Sequence, residues 1–396
     1  MCTPSLLSGA SSNGPSEHAS DEMPNLDFLR AVAVLMVLLS HLISYEDCAD
    51  LGPFRLNWMG GVGVYFFFVH TCFVLMLSLE RQWKGQGALQ LFGSFMIRRI
   101  FRIYPLSITA VLLIIAFRLP QAGLSPRYFF AASPNLATIA ANLMLVQGSG
   151  RSILCVMWSL PYEMGMYLFL PWLFLWLYLH TSVGRVFVVW LLSVLGGVTF
   201  LMYSGWPNRE YFFLYFPCFL PGVIAYQLQR TRRGRLPALM WPAVVIVAVV
   251  PCLYRQNFLA DYRLKAWLVC LLLGLAVPFF AQITNRWITR PAHLLAKYSY
   301  GVYLTHFFCI WFCFERLHAV LPRVVRLGLF AGLLAVLPLL FYHTLEEPLI
   351  RVGKRVSGRF EEITARSKIC RAGSFSVFVA NFPVSLRVLS LIKRQA

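Results

Sequence analysis

Arg30 and His41 stand eleven residues apart in NLDFLRAVAVLMVLLSH, an otherwise largely apolar stretch. On a helix that spacing is a rise of about 16 Å and close to three whole turns, so both side chains share one face. An imidazole, with an ordinary pKa of about 6.5, can take a proton from a hydroxyl or carry an acyl group briefly. Charged and imidazole groups are expensive inside hydrocarbon, so each is a candidate for function. The plain alternative is an anchoring arginine at the membrane surface and a histidine bonded to a neighbouring helix.

Three further groups invite the same weighing. RRIFRIYP carries Arg98, Arg99 and Arg102, whose fork geometry suits a diphosphate or nucleotide. Taken alone, such a cluster reads equally as a basic stop before a membrane span. Glu163, in MWSLPYEMGMYLFLP, must be paired, protonated or facing a polar cavity. Pro161 fits a first helical turn, and Tyr167 shares the face of Glu163, though a capping glutamate is the bland reading. KYSYGVYLTHFF places Tyr303 three residues before His306, FYHTLEEPL groups His343, Glu346 and Glu347, and YFFFVHTCF holds His70. A packing histidine accounts for His70 or His306 as well as a catalytic one does. No HExxH or cysteine cluster points to a metal.

The elements that must position these residues are written in composition. Of 396 residues, 59% are hydrophobic and only 13% charged, about half the charge of a soluble domain. Apolar runs at 26–43, 58–79, 104–119, 158–178, 186–203, 211–228, 238–253, 264–280, 298–314 and 324–341 are each about long enough to cross ~30 Å of hydrocarbon. Backbone in a bilayer must satisfy itself, so these are helices. The expectation is an all-α integral membrane protein with about ten transmembrane helices in a single bundle. Segment 134–148 is only moderately apolar and reads as a short interfacial or re-entrant helix, or, if it crosses fully, as a further span that shifts the topology. Residues 1–24 read as disordered, 25–350 as one polytopic membrane body, and 351–396 as a basic cytoplasmic tail.

A net charge of +19 would fit nucleic acid, but its placement fits a membrane. With an even span count and cytoplasmic termini, 24 of the 35 Lys and Arg fall inside, as the positive-inside rule requires. No basic n-region marks a cleavable signal peptide. The ten cysteines are scattered in apolar runs as small hydrophobes.

Five stretches, in order, resemble the membrane-bound acyltransferase 3 family. They are the opening helix with Arg30 and His41; RRIFRIYP with Arg99 and Arg102; NLMLVQ then WSLPYEMGMYLFLP with Asn142, Trp158, Ser159, Leu160 and Glu163; YSYGVYLTH with Ser299, Tyr303 and His306; and EEP with Glu347 and Pro348. The resemblance implies O-acyl transfer from cytoplasmic acyl-CoA, acetyl-CoA above all, to a hydroxyl of a saccharide, lipid-linked saccharide or small acceptor. It implies catalytic roles for His41 and Glu163 and donor binding by Arg30, Arg98, Arg99 and Arg102. Asn142, Trp158, Ser299, Tyr303 and His306 would support the site or bind acceptor. Acyl-CoA would be a co-substrate, with no resident cofactor, in a multi-pass protein of a bacterial inner membrane. Two places depart from the family. The second span lacks its serine–glycine pair, with Thr71 and Cys72 or Val69 and His70 there instead, and Met164 follows Glu163 where a second glutamate is usual. The chain also stops soon after the membrane body, without the extra domain some members carry. The rival readings are a transporter of an organic anion or sugar, which would show two related halves, and a non-enzymatic scaffold.

Overall fold

Backbone in hydrocarbon bonds to itself most simply as a helix, and the chain obeys almost throughout. In this computed structural model residues 23–45, 50–116, 134–148, 152–179, 182–203, 211–231, 236–254 and 259–380 are described. Among them are α1 Pro24–Tyr45, α2 Met59–Gln82, α3 Ala88–Ala116, α4 Leu136–Leu143, α5 Leu160–Leu179 and α6 Val183–Tyr203. There follow α7 Phe212–Thr231, α8 Trp241–Leu253, α9 Leu259–Ala276, α10 Arg286–Ile310, α11 Arg323–Phe341 and α12 Glu347–Ala380. A hairpin of two-residue strands, β1 Asp50–Leu51 and β2 Phe54–Arg55, joins α1 to α2.

Among the described residues seven helical stretches are long and apolar enough to cross a membrane: α1, α2, α3, α6, α7, α9 and α11 running on into α12. This corrects the expected count of about ten. The other three runs do form helices, but with different character. α8 has 13 residues, about 20 Å of rise against a core of ~30 Å. α5 carries Glu163, two prolines and several Tyr and Trp, and α10 carries Arg286, Arg290, His293, Lys297 and His306. α4 has eight residues, capped by Asn135, whose side chain accepts from Thr138 N at 2.8 Å. That is a short helix, as segment 134–148 led one to expect.

Outward faces are apolar. On α6, Val188, Leu192 and Leu195 are each more than half exposed, a surface that lipid covers and water would not. Inside, α1 packs against α2 and α10, α2 also against α7, and α3 lies along α12. Gly63 permits the first of these contacts: a Cβ there would sit 2.7 Å from the Ala33 carbonyl oxygen. The close approach that a glycine in the middle of α2 would have supplied comes instead from Gly222 of α7. Its missing Cβ would lie 2.8 Å from that of Cys72. Wide π-helical turns at Trp311–Arg316 and Tyr342–Glu346 break the helical repeat, a device frequent near functional sites.

Residues 1–22, most of the segment expected to be disordered, lie outside the described residues, as do 232–235 in the basic stretch RTRRGR between α7 and α8, expected on the cytoplasmic side, and 381–396 of the tail. The tail's described part, 351–380, continues α12.

Candidate functional site

A cavity of about 280 Å³ opens between α1, α2, α3, α5 and α10. Arg30, Arg81, Arg99 and Arg102 line it against a single carboxylate, Glu163. Arg30 Nε donates to Ser299 Oγ at 2.5 Å, and that hydroxyl donates onward to the Ala296 carbonyl at 2.8 Å. Glu163 accepts from the Tyr167 hydroxyl one turn along α5. Arg99 stands over the Phe95 ring at 5.8 Å, with its Nε buried and unpartnered. Neither Arg99 nor Arg102 makes a hydrogen bond or ion pair with any described residue. Arg30, Arg99 and Arg102 gathered around one lining carboxylate make a positively charged enclosure suited to an anionic ligand.

This cavity continues into a vestibule of about 610 Å³ that shares Arg30, His70, Val74, Arg81 and Arg102. The vestibule adds Lys297, whose ammonium lies 5.0 Å from the Tyr342 ring centre and 5.3 Å from that of Tyr298. Its acidic residues are engaged: Asp27 with His293 at 2.8 Å, and Glu80 with Arg230 at 3.4 Å. Sequence reasoning passed over Arg81 and Lys297. The signal available was their spacing, eleven residues after His70 and two before Ser299.

Away from the vestibule, polar groups lead toward His41. Ser159 and Tyr303 both line the arginine cavity, with their hydroxyls 2.9 Å apart. Tyr303 donates to the Val156 carbonyl, so Ser159 is the donor between them. The Tyr303 ring lies 6.3 Å from that of His306, and His306 Nε2 is 3.2 Å from His41 Nδ1. Each Nδ1 also faces a carbonyl at 2.9 Å, Val37 for His41 and Val302 for His306. A carbonyl only accepts, so both rings carry their proton on Nδ1. His41 Nδ1–H is then shared between Val37 and the lone pair of His306 Nε2. The lone pair of His41 Nε2 remains available as a base or nucleophile.

A family model for an acyltransferase domain matches residues 23–343, most of the chain. The chain belongs to the acyltransferase 3 family. Among curated proteins this acyltransferase 3 chain is similar to the peptidoglycan O-acetyltransferase OatA of Listeria monocytogenes, at 25% identity over 84% of this chain and 56% of that protein. A Staphylococcus aureus protein provisionally named as an O-acetyltransferase is 28% identical over 56% of this chain and 35% of its own length. An Acidianus two-tailed virus protein, provisionally named as an acetyltransferase, is 26% identical over 72% and 82%. The chain thus spans about half or less of the two bacterial relatives. No solved structure matches it.

Within this acyltransferase 3 body the residues singled out from sequence divide. Arg30, Arg99, Arg102, Glu163, Ser299 and Tyr303 meet at the arginine cavity, and His41 meets His306 beyond it. Arg98 does not join them: its guanidinium pairs with Glu361 at 3.1 Å and donates to Ser357 at 2.9 Å, both on α12. One residue's turn of about 100° separates it from Arg99. Asn142 is buried, donating to the Thr138 carbonyl and accepting from Ile153 N, both at 2.9 Å. It ties α4 to the segment leading into α5. Trp158 packs on Tyr162 and Tyr215. Glu163 bonds to Tyr167, and the ring neighbours of His41 are His306 and Phe307. Of the parts open to Glu163, orienting or polarising the imidazole or binding acceptor, the place beside the His41 ring is taken by His306.

Proposed function

We propose that this protein transfers an acyl group, acetyl above all, from cytoplasmic acyl-CoA to a hydroxyl on a saccharide or lipid-linked saccharide. One observation carries the reading: Arg30 and His41 lie on one helix, the first in an anion-demanding cavity, the second with an available Nε2 beside His306. The vestibule and arginine cavity receive the donor's phosphates, and the acyl arm runs past Ser159 and Tyr303. His41 Nε2 takes the acceptor's proton while its oxygen attacks the thioester carbonyl. The C–S bond breaks, and the proton passes to the departing thiolate. His306, accepting from His41 Nδ1–H, holds the imidazole in the tautomer that leaves Nε2 free. Glu163, held by Tyr167, moderates the arginine charge and aids the acceptor. The name of the Listeria relative supports an O-acetyl product.

The orientation belongs to the same reading. The vestibule and both termini face the cytoplasm of a bacterial cell, residues 25–350 form the catalytic membrane body, and the tail from 351 stays inside. It requires one or all three of α5, α8 and α10 to cross besides the seven span-competent helices; with all three crossing, 24 of the 35 Lys and Arg fall on that side, which supports it.

The test is transfer of labelled acetyl from acetyl-CoA by purified protein in liposomes. It is joined to intact-mass comparison of surface glycans and lipids from cells with and without the gene. An acetyl unit lost with the gene supports the reading. Uptake of an anion or sugar without acetyl transfer replaces it with a transporter.

A further inference from the structure

His70 is 3% exposed, and its Nδ1 is enclosed without a partner. The other two histidines of the site, half-buried His41 and buried His306, each bond to the carbonyl four residues back on their own helix. A histidine kept for packing finds such a partner, because an unpaired buried polar group is costly. His70 instead lines both the vestibule and the arginine cavity. With Nδ1 enclosed, Nε2 is the edge left for a ligand.

Its depth follows from the packing of α1 on α2. Gly60 faces the Ser40 side chain, and Gly63 faces Ala33, Met36 and Val37, so the two helices run antiparallel in that register. Ten residues on from Gly60 is His70, and ten back from Ser40 is Arg30. The two are level, and Arg102 joins them at the same junction. Eleven residues from Arg30 along α1, about 16 Å, is His41; eleven from His70 along α2, about 16 Å the other way, is Arg81. The junction is the station between the vestibule's cations and the histidine pair.

We propose that His70 is a phosphate-binding residue, its Nε2–H completing with Arg30 and Arg102 a three-armed site for the phosphates of acyl-CoA. Two guanidinium groups supply charge. A neutral imidazole adds a directed donor without adding repulsion between cations. Phosphate oxygens accept from several donors at once, which suits this set better than a thioester or amide carbonyl does. The assignment rests on the acyl-CoA donor proposed above.

Binding of CoA and of pantetheine, which keeps the arm and lacks the phosphates, is to be measured by calorimetry on detergent-purified wild type, His70→Ala and His70→Gln. Transfer kinetics with acetyl-CoA and S-acetylpantetheine accompany it. Expected is a loss of CoA affinity of about tenfold or more in His70→Ala, the size of one hydrogen bond to a charged group. Pantetheine binding and the KM for S-acetylpantetheine should stay unchanged. His70→Gln, whose amide reaches the Nε2 position, should recover part of the affinity and guards against an alanine variant that fails to fold. Unchanged CoA binding in both variants overturns the assignment, as does an equal loss for CoA and pantetheine, which would mean packing. A wild-type protein that binds no CoA overturns this proposal together with the donor reading, whereas normal wild-type binding confines the failure to His70.

Discussion

His306 Nε2 lies 3.2 Å from His41 Nδ1, and each imidazole is tethered to the carbonyl four residues before it. Two rings from α1 and α10 thereby hold each other in one tautomeric arrangement, with the lone pair of His41 Nε2 left over. The ring neighbours of His41 are His306 and Phe307 rather than a carboxylate. A second imidazole orients the first, and the Phe307 ring packs edge-on beside it, with ring centres 6.4 Å apart.

His41→Ala should lower kcat by at least the ~10²–10⁴-fold typical of a positioned general base, with CoA binding little changed. His41→Gln should not rescue the rate, since an amide cannot take the proton at neutral pH. His306→Ala should lower kcat less, because His41 keeps its bond to Val37. Acetyl transfer by monodisperse protein in liposomes is the measurement, and near-normal turnover of His41→Ala would remove His41 from the chemistry.

Arg99→Ala or Arg102→Ala should raise the KM for acyl-CoA by roughly 10–150-fold, the value of a charge-assisted contact to phosphate. Arg99→Lys should recover only part, lacking the fork. Arg98→Ala should leave KM alone. Its half-buried pair with Glu361 is worth at most about 1 kcal/mol, so the loss should appear as easier proteolysis of α12. Equal effects of all three arginines on KM would defeat the division.

Gly63→Leu should reduce the yield of folded protein severely. Even a Cβ there meets a main-chain oxygen, Ala33 O at 2.7 Å, which cannot swing aside as a side chain can. Gly332 of α11, where a Cβ meets nothing within 4 Å, should accept alanine without loss. Monodisperse elution of both variants in detergent settles the comparison.

A cysteine at Arg233 should be reached by impermeant thiol reagent only after the cytoplasmic face is opened. Labelling of Arg233→Cys in intact cells would invert the orientation and with it the side from which the donor enters.

How much of this was legible in the residues can be read from particular helices. The apolar runs announced helices because a bilayer leaves the backbone no other simple way to bond, and Arg30 and His41 announced a shared face because 3.6 residues make a turn. Those are local rules, and they operate on one chain segment at a time. Span competence proved less local. The run at 298–314 reads as a span, whereas α10 taken whole is too polar to count as one; its Ser299, Tyr303 and His306 are buried within the bundle, where Arg30, Ser159 and His41 answer them. Hydropathy averages a helix over all directions, whereas packing decides which direction each side chain faces. For the same reason tertiary structure alone separated Arg98, turned to α12, from Arg99 and Arg102, and matched His41 with a histidine 265 residues away rather than with Glu163. It also set His70 level with Arg30, since the register of two helices depends on where glycines let their backbones meet, and no spacing along either helix contains that distance.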